Sequence, residues 1–153
     1  MQIVWGGAGN AEINRALAEW CAVQIGLPRP FEEPYTTMGV FDGETLVACM
    51  LYNNWQPETG VIEIHGAGIT PRWLTRPVLR PMFEYPFVQL DCQMVVMRVS
   101  ERNTRLRRML TAYGFEHVTI PRLRGRDEGE NIYWLTDDVW RNSKFNHKVK
   151  TDG

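Results

Sequence analysis

The sequence has no excess charge of either sign, because 17 lysines and arginines stand against 18 aspartates and glutamates for a net charge of −1. This balance excludes a global attraction to nucleic acid or to a membrane surface, so any basic binding site must be local. The chain also lacks an apolar run of roughly 18 residues, the length that spans a bilayer, and residues 1–10 lack the pattern of a signal peptide. We therefore expect an unprocessed, soluble protein of the cytoplasm.

Cysteine and histidine are sparse and scattered. Cys21, Cys49 and Cys92 lie far apart in apolar stretches, which favours buried, reduced thiols over a disulfide framework. The three histidines have no partner at metal-ligand spacing, and the chain contains no Cys-x-x-Cys or His-x-x-His pair. The sequence therefore predicts neither disulfides nor a metal site.

Apolar periodicity predicts helices and strands in mixed order. Residues 10–26, 75–90 and 102–113 repeat apolar side chains every three or four positions, which indicates helices. Asn10 is the expected N-cap of the first helix, and Pro81 and Pro86 should kink or shorten the second. Apolar alternation or short apolar runs predict strands in residues 37–41, 45–53, 61–68, 94–99, 115–120 and 131–136, the first two joined by an Asp42-Gly43 turn.

This order combines antiparallel hairpins with at least one strand–helix–strand crossover. It predicts an α/β fold with a central, mixed, largely antiparallel sheet of about six to seven strands, flanked by helices on both faces. We expect one domain in residues 1–141 and a polar tail in residues 142–153. Such sheets often separate where a parallel strand pair meets its neighbour, and a cofactor can enter there.

Asn103, followed eleven residues later by Gly114-Phe115, matches the Asn-(x)10-Gly-Phe pattern of the GNAT acyltransferase superfamily. The segment TRPVLRPMFEYPF, residues 75–87, resembles the helix after the diphosphate loop in the ribosomal-protein N-acetyltransferase branch. Residues 75–115 carry the specific match, whereas the remainder agrees in element order only. The resemblance implies a GNAT-like fold, acetyl-CoA as cosubstrate and an amine acceptor.

The resemblance also implies a coenzyme site around the loop of residues 69–77. The residues that it assigns to this site are Gly68, Ile69, Arg72, Leu74, Thr75, Arg76, Asn103 and Arg108. A helix that opens after a strand offers N–H groups and the positive end of its dipole to a diphosphate. The family's Gln/Arg-x-x-Gly-x-Gly/Ala loop has no matching glycines here in either register, and Pro77 lacks an N–H.

Several of these residues have a purely structural explanation as well. Asn103 is also a good helix N-cap, with or without a contact to the coenzyme's pantetheine arm. Arg98, Arg108 and the neighbouring arginines could contact the coenzyme's phosphates, or they could simply be solvated. Gly114 is most simply a helix C-cap, and Phe115 is most simply a core residue.

The acceptor side is predicted on the strand of residues 61–68. Alternation puts Glu63 and His65 on one face and the isoleucines between them on the other, so either ionisable residue is a candidate general base. A strand-exposed glutamate or histidine without a catalytic role is the alternative. The tyrosine that many GNAT enzymes carry seven residues after the asparagine is Leu110 here, so the sequence assigns no general acid.

Two functions from different classes follow. The first is an acetyl-CoA-dependent N-acetyltransferase acting on an amine of a protein or a small molecule. The second is a catalytically decayed GNAT-like binding or structural protein, such as a phage or another mobile element could encode. Nucleic-acid binding through the arginine-rich helix and residues 122–126 is not expected, because acidic residues follow that loop directly.

The acceptor's identity should depend on two loops, residues 27–36 and 121–130. Trp55 and Trp73 lie in or beside turns, which makes them candidates to line a pocket or an interface. A homodimer is compatible with these features.

Overall fold

The computed structural model describes residues 1–144. The sheet contains seven strands: β1 (Gln2–Gly6), β2 (Thr36–Asp42), β3 (Thr45–Gln56), β4 (Val61–Gly68), β5 (Met94–Ser100), β6 (Glu116–Ile120) and β7 (Glu130–Thr136). The helices are α1 (Ala11–Ile25), α2 (Arg76–Glu84), α3 (Thr104–Tyr113) and α4 (Asp137–Arg141). Most of the predicted polar tail, from residue 145 onward, lies outside the described residues.

The strands form one sheet in the order β1-β2-β3-β4-β5-β7-β6. Only the central pair, β4 and β5, is parallel, and every other neighbouring pair is antiparallel. The β2–β3 hairpin turns at Gly43, whose φ of 62° is in the left-handed region that favours glycine. The predicted mixed, largely antiparallel sheet is confirmed.

Apolar side chains form a separate core on each face of the sheet. On one face, α1 packs Leu17, Ala18 and Cys21 against Cys49 and Leu51. On the other face, the larger core combines side chains of α2, α3 and α4 with the central strands. Helices therefore cover both faces, as predicted, and the three cysteines are buried and free.

The second helix is shortened in the way that its prolines predict. It ends as a regular helix at Glu84 and continues as a single π-helical turn, Tyr85–Gln89. In a regular helix the carbonyl of Met82 would accept a hydrogen bond from residue 86, but Pro86 has no N–H. The buried hydroxyl of Tyr52 donates to that carbonyl instead, at 2.6 Å.

The predicted start of α1 needs two corrections. Asn10 occupies the N-cap position, but its side chain makes no capping bond; it accepts from the backbone N–H of Gly7 and donates to the carbonyl of Trp5. Ile13, which the apolar repeat places in the core, is 43% exposed. Asn14 is buried in its place, because it donates to the carbonyl of Tyr35 and accepts from the Thr37 hydroxyl.

Within residues 1–144, none of the helices combines the length and the apolar character that crossing a bilayer requires.

Candidate functional site

The two central strands separate along their length. Ladder pairing between β4 and β5 covers three residue pairs, from Val61 with Met94 to Glu63 with Val96. Beyond them β4 continues to Gly68 and β5 to Ser100, with no strand of the described chain pairing between them. The sheet therefore opens next to His65, within the parallel pair itself and not, as the element order predicts, where that pair meets a neighbouring strand.

Glu63 and His65 meet on the α1 face of this opening. Ile62 and Ile64 point into the opposite core, where they are 2% and 1% exposed, so alternation turns the two ionisable side chains the other way. The distance from Glu63 Oε2 to His65 Nε2 is 2.8 Å, and both side chains remain partly exposed. The predicted pair of candidate bases is thus one hydrogen-bonded unit.

The partners of His65 determine which of its ring nitrogens carries hydrogen. Nε2 lies 2.8 Å from a carboxylate oxygen of Glu63 and 3.0 Å from Oδ1 of Asn53. An ionised carboxylate can only accept, so Nε2 must be the protonated nitrogen of the neutral ring. The lone pair is therefore on Nδ1, for which residues 1–144 provide no hydrogen-bond partner.

Glu63 is held in its ionised form. Burial alone would raise the pKa of its carboxyl group. The hydrogen bond from His65, the charge that this ring carries when it is protonated, the amide of Asn54 and the charge of Arg98 together lower that pKa below its ordinary value of 4.5. Asn54 Nδ2 donates to Glu63 Oε1 at 3.0 Å. Because both carboxylate oxygens are occupied, Glu63 is better placed to orient His65 than to accept a proton itself.

Sequence reasoning missed Phe31, Asn53 and Asn54 beside this pair, and it considered Arg98 for phosphates instead. Phe31, from the proline-containing loop after α1, stacks edge-on against the His65 ring at a centroid distance of 4.9 Å. Asn53 could have been found, because it lies directly opposite Glu63 in the β3–β4 register. Phe31 and Arg98 depend on tertiary contacts that carry no local sequence signal.

The loop expected to bind a diphosphate uses most of its own hydrogen-bond donors. The backbone amides that already donate within this segment are those of Arg72, Leu74, Thr75, Val78 and Leu79. Pro71 and Pro77 have no amide hydrogen. In this conformation the segment therefore does not form the amide cradle that usually binds a diphosphate at a helix N-terminus.

The other side chains assigned to this loop are distributed as follows. Gly68 and Ile69 are exposed at the end of β4, next to the opening, and the side chain of Arg72 is exposed. Arg76 instead donates to the backbone carbonyl of Lys144 at 2.9 Å. Trp73, expected at a pocket or interface, is buried in the core, since the absence of a side chain on Gly68 lets its indole pack there.

Asn103 has the structural role that its helix requires. Its side-chain oxygen accepts from the amide of Leu106 at 3.3 Å, as an N-cap does, and Gly114 ends the same helix with a φ of 120°. Leu110 is 7% exposed and faces the core, so the tyrosine position offers no proton donor. Arg108 lies further along α3, beside β6 and β7 rather than at the opening.

Among the residues that the structure describes, no group of three or more His, Cys, Asp or Glu side chains is arranged to hold a metal ion.

Solved structures share this architecture at low sequence identity. A spermidine N-acetyltransferase, a chimera of SpeG from Vibrio cholerae and hSSAT, matches 93% of this chain and all of its own, with 12% identity and a TM-score of 0.71. A candidate acetyltransferase from T. thermophilus matches 81% of this chain with 17% identity and a TM-score of 0.61. Another candidate acetyltransferase matches 71% with 18% identity and a TM-score of 0.62.

This chain spans 66% of the length of the T. thermophilus protein and 60% of the length of the other candidate acetyltransferase. No family model and no curated protein matches the sequence. The structural likeness confirms the predicted GNAT-like fold. The ribosomal-protein branch and a phage origin stay predictions.

Proposed function

We propose that this protein is an acetyl-CoA-dependent N-acetyltransferase. The observation that carries the proposal is the position of the Glu63–His65 pair beside the opening between β4 and β5. A GNAT-like fold alone would not support an activity, because one fold serves many functions. A hydrogen-bonded acid–base pair at the point where the sheet separates adds a specific chemical capability.

The residues fit the two ends of the coenzyme unequally. The thioester end fits the opening, where the β4 edge beyond Glu63 has no strand partner toward β5 within the described chain. The diphosphate end has few free amides, and the amide of Ile69 already donates to the carbonyl of Val47, so Arg72 and the exposed Gly68 would have to contribute most of its contacts. Bound acetyl-CoA would supply the acetyl group as an activated thioester.

In this proposal His65 accepts the proton of the acceptor amine. An ammonium has no lone pair, so a base must remove a proton before or during attack on the acetyl group. His65 takes it at Nδ1, while Glu63 holds the Nε2 hydrogen and balances the charge of the resulting imidazolium. Leu110 has no proton to give, so the imidazolium or solvent must protonate the leaving thiolate.

The acceptor is an amine that reaches Nδ1 past Phe31. Spermidine is the first acceptor to assay, because one of the similar structures is a spermidine N-acetyltransferase. The proposal assigns the enzyme to the cytoplasm, where its three free, buried cysteines would stay reduced.

Isothermal titration with acetyl-CoA, and with coenzyme A for comparison, tests the proposal without knowledge of the acceptor. Saturable binding is the expected result. A folded sample that binds neither compound would contradict the enzyme hypothesis.

Replacing Asn103 in the same titration separates its two roles. Asn103→Ala removes the cap and any coenzyme contact, whereas Asn103→Ser retains a capping oxygen without the amide. If both variants bind acetyl-CoA more weakly while only the alanine variant loses stability, Asn103 contacts the coenzyme. If both variants bind acetyl-CoA as the wild type does, Asn103 acts only as the N-cap of α3.

A catalytically decayed binding protein is the second candidate. It is favoured by the diphosphate segment, in which two prolines and five internally bonded amides leave little for a phosphate. This function requires a folded protein that does not bind acetyl-CoA, so the same titration decides between the two candidates.

A further inference from the structure

A second concave surface lies between α3 and the β6–β7 end of the sheet. Its volume is about 500 Å³, within the range of small-molecule sites. The polar residues that line it are Thr104, Arg107, Arg108, Thr111, His117 and Tyr133. None of the lining residues in the described chain is acidic, although acidic residues outnumber basic ones in the sequence as a whole. We call this surface the α3 groove.

The inner wall of the α3 groove is held in place before any ligand arrives. Tyr133 is 1% exposed, and the His117 ring stacks on it at a centroid distance of 4.8 Å. Arg107 donates through Nη1 to the carbonyl of Glu101 at 3.0 Å and through Nε to the Tyr133 hydroxyl at 3.4 Å. A guanidinium fixed in this way loses little conformational freedom when it binds.

Two donors of this region lack acceptors. Within residues 1–144 the exposed Arg108 side chain has neither an ion-pair nor a hydrogen-bond partner. Asn131 precedes Tyr133 by two residues on the same face of β7, and its buried Nδ2 has no partner in the described structure. An unsatisfied buried donor is unusual in a native protein. Arg108 therefore has its donors available to a ligand in the α3 groove, whereas Asn131 is fully buried and does not line the groove.

The α3 groove is separate from the opening between β4 and β5. In the sheet order, β5 stands between that opening and the groove's strands, so β7 lies about 5 Å and β6 about 10 Å beyond β5. On α3, Leu106, Leu110 and Tyr113 pack toward the core, whereas Arg107 and Arg108 line the groove. A molecule in the groove therefore need not displace one in the opening.

We infer that the α3 groove binds a phosphate monoester, at a site distinct from the proposed acetyl-CoA site. Arginine presents a planar fork of donors that matches two oxygens of a phosphate. Arg108 has this whole fork available, and Arg107 adds its charge and the N–H groups that its bonds to Glu101 and Tyr133 do not use. The hydroxyls of Thr104 and Thr111, which are both exposed in the groove, can donate to the remaining oxygens. The exposed His117 ring, held by its stacking on the buried Tyr133, offers a face to the organic part of the ester.

The experiment is isothermal titration with phenyl phosphate at constant ionic strength. Arg108→Gln removes one cationic fork from the groove, and Arg105→Gln removes the same charge from the same helix outside the groove lining. We expect saturable binding that Arg108→Gln weakens at least tenfold and Arg105→Gln changes less than twofold. Equal weakening by both variants, or no saturation, would overturn the inference, because it would indicate charge screening alone.

A repeat titration in saturating acetyl-CoA tests whether the two sites are distinct. An unchanged dissociation constant for phenyl phosphate supports separate sites, whereas competitive displacement would show that the groove belongs to the coenzyme site and would refute the inference. If acetyl-CoA does not bind at all, the proposed function fails. The comparison of Arg108→Gln with Arg105→Gln still decides whether the groove binds phosphate.

Discussion

At the scale of single residues, the structure separates two roles, proton acceptor and positioning residue, that the sequence could not assign between Glu63 and His65. Either residue could serve as a base when only its type is known. The Glu63 carboxylate accepts hydrogen bonds from His65 and Asn54, whereas the Nδ1 atom of His65 has no partner in residues 1–144. Under the proposed function, His65 is the base and Glu63 positions it.

The first prediction concerns turnover. His65→Ala should lower kcat by about 100-fold or more, in the range that general bases contribute, with a smaller change in the KM for acetyl-CoA. Glu63→Gln should lower kcat less, by roughly tenfold, because the amide still accepts from Nε2 but no longer balances the imidazolium charge. Added imidazole should partly restore the alanine variant, and normal turnover in that variant would exclude His65 as the base.

The second prediction concerns the dependence of stability on pH. The folded protein lowers the pKa of Glu63 below 4.5, so the ionised carboxylate stabilises the fold above that pH and this contribution is lost as pH falls through the lowered pKa. Urea unfolding should therefore show a gap between the wild type and Glu63→Gln near neutral pH that narrows in acid. A gap that widens in acid would contradict the assigned ionisation.

At the scale of secondary-structure elements, the end of helix α2 depends on a hydrogen bond from strand β3. Its prolines predict a break from sequence alone, because proline lacks the N–H that a helix needs. They do not predict that the carbonyl of Met82, which Pro86 leaves without a helical donor, accepts a hydrogen bond from the buried hydroxyl of Tyr52 in β3. Similarly, the apolar repeat of α1 predicts a helix but places Ile13 inward, since a buried Asn14 is stable only through its bonds to Thr37 and Tyr35.

The third prediction tests this contact between β3 and α2. Tyr52→Phe keeps the ring but leaves the Met82 carbonyl without a donor in the core, which should lower the free energy of unfolding by about 1–3 kcal/mol. Tyr85→Phe is the matched control, because its hydroxyl donates to Thr36 in a partly buried place where water can substitute. Chemical denaturation measures both, and equal losses would mean that the orphaned carbonyl is not the cause.

At the scale of the whole molecule, local patterns predict most of the fold and only part of the site. Strands and helices follow from periodicity, and an opening near the parallel pair is expected, although it lies within that pair rather than beside it. The contacts around the loop of residues 121–130 do not follow, because those that attach it to β5 and to Arg102 join residues far apart in the chain. In this group of ion pairs, the buried Glu130 contacts both Arg98 and Arg124, and Arg102 contacts Glu128.

The ion pairs of Glu130 hold the loop of residues 121–130 against β5. Because Arg98 is one of the paired residues, it is not available for a phosphate. Glu130 has a side-chain exposure of 4% between two arginines, so its removal leaves two like charges close together without the carboxylate that lies between them. Both arginines are partly exposed and can turn toward water, which reduces the penalty. The charge of Arg98 also helps to lower the pKa of Glu63, so the loop and the candidate catalytic pair share one cation.

The fourth prediction follows from that shared cation. Glu130→Gln should lower the free energy of unfolding by about 1–3 kcal/mol and make residues 121–130 more sensitive to trypsin, which cleaves after arginine. Glu116→Gln, which alters an exposed carboxylate bonded to Trp134, should change stability by no more than about 0.5 kcal/mol. Since Arg98 would then face Glu63 without competition from Glu130, the Glu63 carboxylate should stay ionised to lower pH. An unchanged acid limb of the unfolding curve would show that Arg98 does not couple the loop to the candidate site.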